Sequence, residues 1–508
     1  MSQTSAVIHD TDFFIHCLTQ MRDYGGAATT TGVPEHTLLE FLPQDPALRT
    51  AVERAYAAFE GLQASHKDLL QLDEISQTAR VQDGYLNFYA QDQVNPYVAL
   101  AAQGPWIITL KGAVIYDCGG YGMLGLGHAP PAILAAMNQS QVMANVMTPS
   151  ISQMTLVDSL RKEIGHTRSD ADPFARFLCL NSGSEAVSIG SRISDINARE
   201  MTDPGGRHAG KPIRSASLRG SFHGRTDRPA RYSDSSMKNY RRYLASFRDM
   251  DELLTIEPNN IESLEAAFQQ AEQQGFFIEA FFMEPVMGEG NPGLSITPEF
   301  YQRARELTTE HGSMFLVDSI QAGLRARGVL SIIDYPGFQE LAPPDMEVYS
   351  KSLNAGQFPL SVLAMSAKTA ALYHQGLYGN TMTTNPRATD VACAVLDSFT
   401  PQIRENIVER GAQLVAGLKS LAKELDGAIT AVQGTGLLLS CELDTRFKCS
   451  GANSTEEYLR KNGLGVIHGG VNSLRYTPGF LINEAEVELI LERTRDALLN
   501  GPCGTPPA

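Results

Sequence analysis

The sequence predicts an α/β protein that has a large domain with a mostly parallel sheet covered by helices, and a smaller α+β domain. Between about residues 150 and 390, short apolar runs alternate with segments of helical periodicity. A strand–helix–strand series of this kind is typical of a parallel sheet with helices on both faces. Closer to the C-terminus, helical and strand patterns are mixed, which favours an α+β arrangement there.

Four apolar runs are predicted strands, and two longer amphipathic segments are predicted helices. The helix at 297–312 has clear boundaries, since Thr297 is a capping residue, Pro298 occupies the first helical position and Gly312 follows the last turn. The other predicted helix covers 184–199. The predicted strands are "ARFLCLN" (175–181), "FIEAFFMEP" (277–285), "MFLVDS" (314–319) and "MEVYSKS" (346–352).

Composition and charge argue against several classes of function. The formal net charge of −16 disfavours nucleic-acid binding, because that requires a positive surface. The sequence has no apolar run long enough to span a membrane and no secretory signal at its start. Its seven cysteines are scattered without a CxxC pair, so neither a zinc site nor a disulfide framework is indicated. We therefore expect a soluble cytoplasmic protein.

Residues 118–157 contain no Asp, Glu, Lys or Arg. Glycine, proline, asparagine and glutamine interrupt this stretch too often for a membrane helix. We predict that it is buried, either in the core or against a second subunit.

Four features suit one phosphate-containing cofactor. Asn181–Val187 joins a predicted strand to a helix, and the N–H groups at a helix start bind phosphate. Asp318 and Lys351 each lie at the end of a predicted strand, where open α/β sheets bind ligands. Gly220–Thr226 offers an aromatic ring and an arginine on a turn. Taken singly, each feature also fits a helix cap or a solvated side chain.

The combination matches the requirements of pyridoxal 5'-phosphate. This cofactor needs a lysine for its Schiff base, and burial or nearby positive charge lowers the lysine pKa from about 10.4 towards working pH. A carboxylate such as Asp318 keeps the pyridine nitrogen protonated, so that the ring accepts electrons from the substrate. Phe222 is available to stack on the ring.

The order of six motifs resembles the class III (omega) aminotransferases, which are pyridoxal-phosphate enzymes of fold type I. The resemblance extends from about Tyr116 to about Leu481. It implies an amino donor and a 2-oxo acid acceptor as substrates, and a homodimer with shared active sites. The motifs are SGSEA, FHGRT, EPVMGEG, D-x-x-Q, SKS and TMTTNP.

The resemblance implies roles for individual residues. Lys351 is implied as the Schiff-base lysine and Asp318 as the partner of the pyridine nitrogen. The other implied cofactor contacts are Ile320 and Phe222 on the two ring faces, His223 beside Phe222, Gln321 near the ring hydroxyl, and Gly183, Ser184 and, from a neighbouring subunit, Thr381 at the phosphate.

Four further residues are implied to bind substrate. Arg225 and Arg475 resemble the two carboxylate-binding arginines of ornithine and 4-aminobutyrate aminotransferases, and a guanidinium suits bidentate binding of a carboxylate. Glu289 matches the glutamate that masks the second arginine until a dicarboxylate arrives. Tyr121 matches a tyrosine that helps to hold the donor's α-carboxylate. Transfer of a terminal amino group from an omega-amino acid or a diamino acid, such as ornithine or lysine, to 2-oxoglutarate is therefore expected.

The predicted division into domains has four parts. Residues 1–80 form a polar helical extension beyond the usual start of the family. Residues 81–150 form the N-terminal part of the small domain with a dimer-interface segment. The large cofactor-binding domain covers 151–395, and the C-terminal small domain covers 396–508.

Two motifs depart from the family pattern, and alternative activities stay open. Ser319 stands where the family usually has glutamate, and Thr383 and Thr384 replace two glycines. Decarboxylation, racemisation and aminomutation use the same fold, and the motifs around Lys351 serve them equally well. Amine:pyruvate transamination is a further alternative. The presence of both Lys351 and Asp318 disfavours a catalytically silent binding protein.

Overall fold

The computed structural model describes residues 2–169 and 172–503, with side chains from residue 11 onward. The chain divides into two compact units. We call Pro131–Gly411 with Gly434–Leu438 the central unit. Met1–Pro130, Ala412–Gln433 and Leu439–Ala508 make up the flanking unit. The four-part division drawn from the sequence stays a prediction.

The described residues form seventeen α-helices. They are α1 (Ser2–Asp23), α2 (Glu35–Phe41), α3 (Pro46–Ser65), α4 (Lys67–Gln71), α5 (Glu74–Gln82), α6 (Pro131–Met137), α7 (Ile151–Glu163), α8 (Gly183–Thr202), α9 (Asp227–Tyr232), α10 (Met237–Tyr243), α11 (Ile261–Gln274), α12 (Pro298–His311), α13 (Ala367–Ala371), α14 (Pro386–Asp397), α15 (Pro401–Glu424), α16 (Thr455–Lys461) and α17 (Glu484–Asn500).

The same residues form fifteen β-strands. They are β1 (Ala99–Gln103), β2 (Trp106–Thr109), β3 (Val114–Asp117), β4 (Arg176–Leu180), β5 (Ile213–Leu218), β6 (Leu253–Ile256), β7 (Phe277–Met283), β8 (Met314–Asp318), β9 (Met346–Tyr349), β10 (Ser361–Met365), β11 (Ile429–Thr435), β12 (Leu438–Leu443), β13 (Leu464–Gly465), β14 (Ile467–Gly469) and β15 (Ser473–Tyr476).

The central unit contains a seven-stranded sheet in the order β4-β10-β9-β8-β7-β5-β6. Among the described strands of this sheet, β10 alone is antiparallel to its neighbours, β4 and β9. The pairs from β9 to β6 are all parallel. The carboxyl ends of β4, β5, β7, β8 and β9 therefore meet at one edge, which is where such sheets bind ligands. The predicted, mostly parallel sheet is confirmed.

The elements predicted in this unit are also present. The four predicted strands are β4, β7, β8 and β9, and the two predicted helices are α8 and α12. The boundaries of α12 have the predicted chemistry: the Thr297 hydroxyl accepts a hydrogen bond from the Phe300 N–H at 3.3 Å, and Gly312 ends the helix with a φ of +82°.

The flanking unit has two four-stranded sheets, β1-β2-β3-β13 and β11-β12-β15-β14. Helices α1–α5 come from the first 82 residues of the chain. Asp45 caps α3, and its carboxylate also accepts a hydrogen bond from the indole N–H of Trp106 at 2.5 Å. This contact ties the start of α3 to strand β2.

Across residues 2–169 and 172–503, no helix combines the length and the apolar character needed to cross a bilayer. Within the same ranges, no group of three or more His, Cys, Asp or Glu side chains is placed to hold a metal ion.

A substitution at Leu316 on β8 tests how tightly the core of the central unit is packed. Its side chain is 0% exposed and packs with Val348 and Leu363. Leu316→Ala should lower the free energy of unfolding by about 2–5 kcal/mol, because it removes buried methyl groups and leaves a cavity. Urea denaturation measures this, with Leu377→Ala at a half-exposed position as the control. A loss no larger than that of the control would contradict the packing.

Candidate active site

Lys351 directly follows the buried strand β9 and opens a short 3₁₀ turn, Lys351–Asn354. Its φ is +45°, an unfavourable value for a residue with a side chain. Neighbouring hydrogen bonds hold this backbone: Ser350 Oγ and Asn354 Nδ2 both donate to the Leu360 carbonyl, at 2.7 and 2.8 Å. Strain of this kind clusters at functional sites, which supports a specific role for the lysine.

Asp318 ends β8, the strand beside β9, and is 3% exposed. His223 Nδ1 lies 2.9 Å from Asp318 Oδ2, and the Ile320 N–H donates to Oδ1 at 3.1 Å. Register places Asp318 opposite Val348, three residues before Lys351. The sheet therefore presents a buried carboxylate and the lysine from adjacent strand ends.

Phe222 and His223 lie on the turn after β5, where Glu284 holds Phe222 and the Ser233 hydroxyl accepts a hydrogen bond from the His223 N–H at 2.9 Å. The Glu284 carboxylate accepts hydrogen bonds from the N–H groups of Phe222 and Gly288, at 2.9 and 3.0 Å. Burial raises the pKa of Glu284 to about 7, while the nearby His223 lowers it and Asp318 raises it. Glu284 was not predicted from the sequence, although it follows the apolar run of β7 as Asp318 follows that of β8.

The N-terminus of α8 fits closely against two loops. A Cβ at Gly183 would lie 2.5 Å from Ile320 Cδ1. A Cβ at Gly224, whose φ is +124°, would lie 2.2 Å from the Ser184 hydroxyl oxygen. The positive φ favours glycine at Gly224, whereas at Gly183 a larger residue would displace the Ile320 side chain. The first N–H groups of a helix have no acceptor within it. The Ser182 hydroxyl accepts a hydrogen bond from the Glu185 N–H at 3.3 Å, so the N–H groups of Gly183 and Ser184 are the ones that can bind an anion.

Gln321 is buried below the EPVMGEG loop. It is 6% exposed, and a Cβ at Gly288 would lie 2.3 Å from its amide carbon. Glu289, the next residue of this loop, is half-buried. The loop therefore brings Gln321 and Glu289 to the same part of the central unit as Asp318.

Thr381 is exposed on the loop between α13 and α14. The preceding Asn380 donates a hydrogen bond from Nδ2 to Glu185 Oε1 at 3.0 Å, which connects the loop to α8. Thr384 has a φ of +56°, a value that suits glycine better than a β-branched residue. Of the two threonines that replace glycines, Thr384 is thus accommodated with backbone strain.

Ser319, which stands where the family usually has glutamate, makes a hydrogen bond to Glu347 on β9. Its hydroxyl donates to Glu347 Oε1 at 2.5 Å, and the Ile332 N–H donates to the same oxygen at 3.0 Å. Ser331 Oγ donates to the other carboxylate oxygen. Burial raises the pKa of Glu347 to about 7. The sequence signal for this site, a glutamate within an apolar strand, was not used in the prediction.

Two of the predicted substrate residues lie in the flanking unit. Arg475 on β15 is 1% exposed, and its guanidinium carbon lies 5.7 Å from the centre of the Tyr121 ring. The Tyr121 ring stacks on Tyr89, with 6.1 Å between centroids, and its φ is +52°. Burial raises the pKa of Tyr121, so its hydroxyl stays protonated.

Arg225 lies in the central unit on the same turn as Phe222. It is exposed, and its guanidinium carbon lies 5.2 Å from the centre of the Phe222 ring. A cation over an aromatic face is held by the ring quadrupole while its N–H groups stay available to a carboxylate.

Comparisons with known proteins find similar sequences and similar folds. The family model for aminotransferase class-III matches residues 88–498. The chain is 29% identical over 410 residues to an acetylornithine aminotransferase of Neisseria meningitidis serogroup B, covering 79% of this chain and 94% of that protein. It is 30% identical over 420 residues to one from Xanthomonas campestris pv. campestris, covering 82% and 95%. The crystal structure of an ornithine aminotransferase from Toxoplasma gondii has the same fold, with a TM-score of 0.70, 23% identity and coverage of 86% and 98%.

The buried Glu347 predicts a pH-dependent contribution to stability. Its pKa of about 7 lies above the unfolded value of about 4.3, so folding takes up a proton between these values. The protonated carboxyl of Glu347 contributes to the free energy of unfolding, and this contribution is fully present below the unfolded pKa. It is lost as the pH rises through the folded pKa of about 7. In Glu347→Gln this dependence is absent. The free energy of unfolding of the variant minus that of wild type should therefore rise between about pH 5 and pH 8.

Urea denaturation at both pH values measures this difference, and the same substitution at exposed Glu340 is the matched control. A difference for Glu347→Gln that stays constant with pH would show that Glu347 is already ionised in the folded protein at the lower pH.

Proposed function

Because the chain belongs to the class-III aminotransferase family, which uses pyridoxal 5'-phosphate, we propose that it transfers a terminal amino group from an omega-amino acid or a diamino acid, such as ornithine or lysine, to 2-oxoglutarate. One observation carries this proposal: two arginines, each lying against an aromatic ring of its own unit, Arg225 beside Phe222 and Arg475 beside Tyr121. An amino donor and a 2-oxo acid acceptor are the two substrates of any such enzyme, and both of those proposed here carry carboxylates.

Features of the central unit fit the cofactor. The close approaches at Gly183 and Gly224 leave backbone free to meet a phosphate at the N-terminus of α8. A ring nitrogen that must stay protonated requires a carboxylate beside it, and Asp318 is a buried carboxylate. Asp318 lies within hydrogen-bonding distance of His223. When bound, the cofactor supplies an electron sink for the reacting carbon of the substrate.

Side chains of this chain then have separate tasks. Lys351 Nζ holds the cofactor and moves a proton at the reacting carbon. Asp318 keeps a proton on the ring nitrogen, and His223 orients the Asp318 carboxylate through Nδ1. Phe222 would contact one ring face and Ile320 the other, while Gln321 would lie near the ring hydroxyl. These roles follow from the motif matches, and the contacts within the central unit support them.

Lys351→Ala tests the central assignment. The variant should fold, because Lys351 is only half-buried and follows β9 rather than forming part of it, but its turnover should fall by at least ~10³-fold, as on removal of other essential catalytic groups. Transamination assays measure the loss, circular dichroism checks the fold, and Lys368→Ala at an exposed lysine is the control. Turnover near that of wild type would refute the role of Lys351.

The two substrates differ in the number of their carboxylates, and this difference is the basis for inferring the acceptor. 2-Oxoglutarate has two carboxylates, whereas an omega-amino donor carries one at most, distant from its reacting end. One cationic anchor must therefore be neutralised in one half-reaction. We assign Glu289 to mask Arg475 while the donor is bound, and this pairing comes from the motif match. The ornithine and acetylornithine aminotransferases among the relatives support a donor of this shape.

Arg475→Ala tests the anchor. The Michaelis constant for 2-oxoglutarate should rise about 10- to 100-fold, because a charged hydrogen bond to the carboxylate is lost. The donor half-reaction, followed by the cofactor absorbance in single turnovers, should be nearly unchanged. Glu289→Ala should have the opposite effect and improve the use of glutamate as donor.

A wild-type enzyme that uses pyruvate efficiently and ignores 2-oxoglutarate would refute this acceptor and favour amine:pyruvate transamination. Loss of the optical activity of the substrate without formation of a 2-oxo acid would instead favour racemisation. Release of CO₂ without formation of a 2-oxo acid would favour decarboxylation.

The protein is further proposed to act as a homodimer with shared active sites. Support comes from the uncharged stretch 118–157, whose part within the central unit exposes large apolar side chains. Val142 is 72% exposed, Met147 82% and Ile151 73%. Several large apolar side chains exposed within one short segment favour an interface there. Thr381, exposed on its loop, is the residue that the motif match assigns to the neighbouring active site.

Met147→Asp with Ile151→Asp should weaken the dimer, because each would bury an unpaired charge at the interface. Light scattering should show a dimer for wild type and a shift towards monomer for the variant, with activity falling in parallel. Val408→Asp, at an exposed apolar residue on α15, is the control. A fully active wild-type monomer at assay concentration would exclude shared sites.

A cytoplasmic location is part of the same proposal. All seven cysteines are free thiols, and six of them are buried or half-buried. Free thiols are the usual state in a reducing compartment.

A further inference from the structure

The flanking unit contains a cavity of about 450 Å³ that no proposed step of transamination uses. Its apolar lining includes Phe41, Leu124 and Leu481. The wall at Phe41–Ala47 comes from residues before position 88, where the family match begins. The cavity is therefore built in part by a segment outside the region that this chain shares with the family. Its size is within the range of small-molecule sites.

Three carboxylates line this cavity, those of Asp45, Asp117 and Glu486. Among the described lining residues the one basic side chain is His128, and its Nε2 already lies 3.0 Å from Asp117 Oδ2. Asp45 accepts hydrogen bonds from the N–H groups of Ala47 and Leu48 and from the indole of Trp106. Two of the three carboxylates are thus satisfied by their surroundings.

Glu486 is the exception. It is 6% exposed, and its Oε2 accepts a hydrogen bond from the Asn483 N–H at 2.8 Å. Within the described part of the chain, Oε1 has no donor. Burial raises the pKa of Glu486 to about 7, and the negative charge of Asp45 adds to this effect. Oε1 is not one of the fully buried atoms, so a solute can reach it, and Glu486 lines the cavity. A cation in the cavity would offset the neighbouring negative charges of Glu486 and Asp45.

We propose that this cavity is a binding site for a small organic ammonium ion, whose N–H donates to Glu486 Oε1 and whose apolar part packs on Phe41, Leu124 and Leu481. The carboxylates supply the attraction for the cation. The apolar lining selects an alkylammonium over a metal ion, because metal ions require several oxygen ligands and bind poorly against hydrocarbon. The site is independent of the amino donor proposed above.

The chain carries its own reporter for this site. Trp106 is its single tryptophan, and the Trp106 indole donates to Asp45, which lines the cavity. A cation that binds beside Asp45 changes the electric field at the indole. Titration of the holoenzyme followed by tryptophan fluorescence therefore measures binding without any activity assay.

The test uses a matched pair of ligands at about pH 8, where Glu486 is mostly ionised. The probe is 4-(dimethylamino)butan-1-ol, a tertiary amine that carries an N–H when protonated and has no amino group to transfer. Its neutral counterpart of the same shape is 5-methylhexan-1-ol. The amine should give a saturable change in fluorescence, and the alcohol should bind at least about tenfold more weakly.

Two variants locate the binding. Glu486→Gln keeps the helix-capping geometry and removes the charge, so it should weaken amine binding at least about tenfold, whereas Glu488→Gln, exposed on the same helix, should not. Ala485→Phe, at an exposed lining residue, should block the cavity even where Glu486→Gln proves unstable.

Equal binding of the amine and the alcohol, no saturable signal with wild type, or unchanged amine binding in Ala485→Phe would each overturn the proposal.

Discussion

The burial of acidic side chains at one edge of the central sheet is the constraint on which the candidate site depends. Asp318, Glu284 and Glu347 are each at most 3% exposed, and they follow or occupy three adjacent strands. Burying a carboxylate is unfavourable unless donors surround it. Loop N–H groups, two serine hydroxyls and His223 meet that need. The loops donate hydrogen bonds to these carboxylates, and the same hydrogen bonds hold the loops in place. The positions of Phe222 and His223 follow from this arrangement.

Parallel strand direction makes this clustering possible. Because β5, β7, β8 and β9 all point the same way, the residues after each strand arrive at the same edge, although they are far apart in the chain. The His223–Asp318 contact joins positions 95 residues apart, and Phe222 and Glu284 are 62 apart. The antiparallel β10 closes the loop after Lys351 back onto the sheet, where Leu360 accepts hydrogen bonds from Ser350 and Asn354.

Local patterns account for what was predicted correctly from the sequence. Apolar runs that end in Asp318 and Lys351 identify strand ends, and Thr297, Pro298 and Gly312 delimit a helix by capping chemistry. The contacts of Glu284 and Glu347 were missed because they depend on which strands are neighbours. Strand order is a property of the whole sheet, and no local period encodes it. The direction of β10 was missed for the same reason. The cavity beside Glu486 also escaped prediction, since its walls come from three distant segments.

The Ser319–Glu347 pair shows how a departure at one position is balanced by another residue. A serine in place of glutamate removes a carboxylate from the loop after β8. In the structure, Glu347 supplies a carboxylate from β9 to the same backbone position, through a hydrogen bond to Ser319 and a second to the Ile332 N–H. A carboxylate on this interior strand would be unfavourable alone, yet here it joins Ser319, the residue after Asp318, to the segment around Ile332. Because Asp318 is the residue immediately before Ser319, the position of the Asp318 carboxylate depends in part on Glu347 of the neighbouring strand.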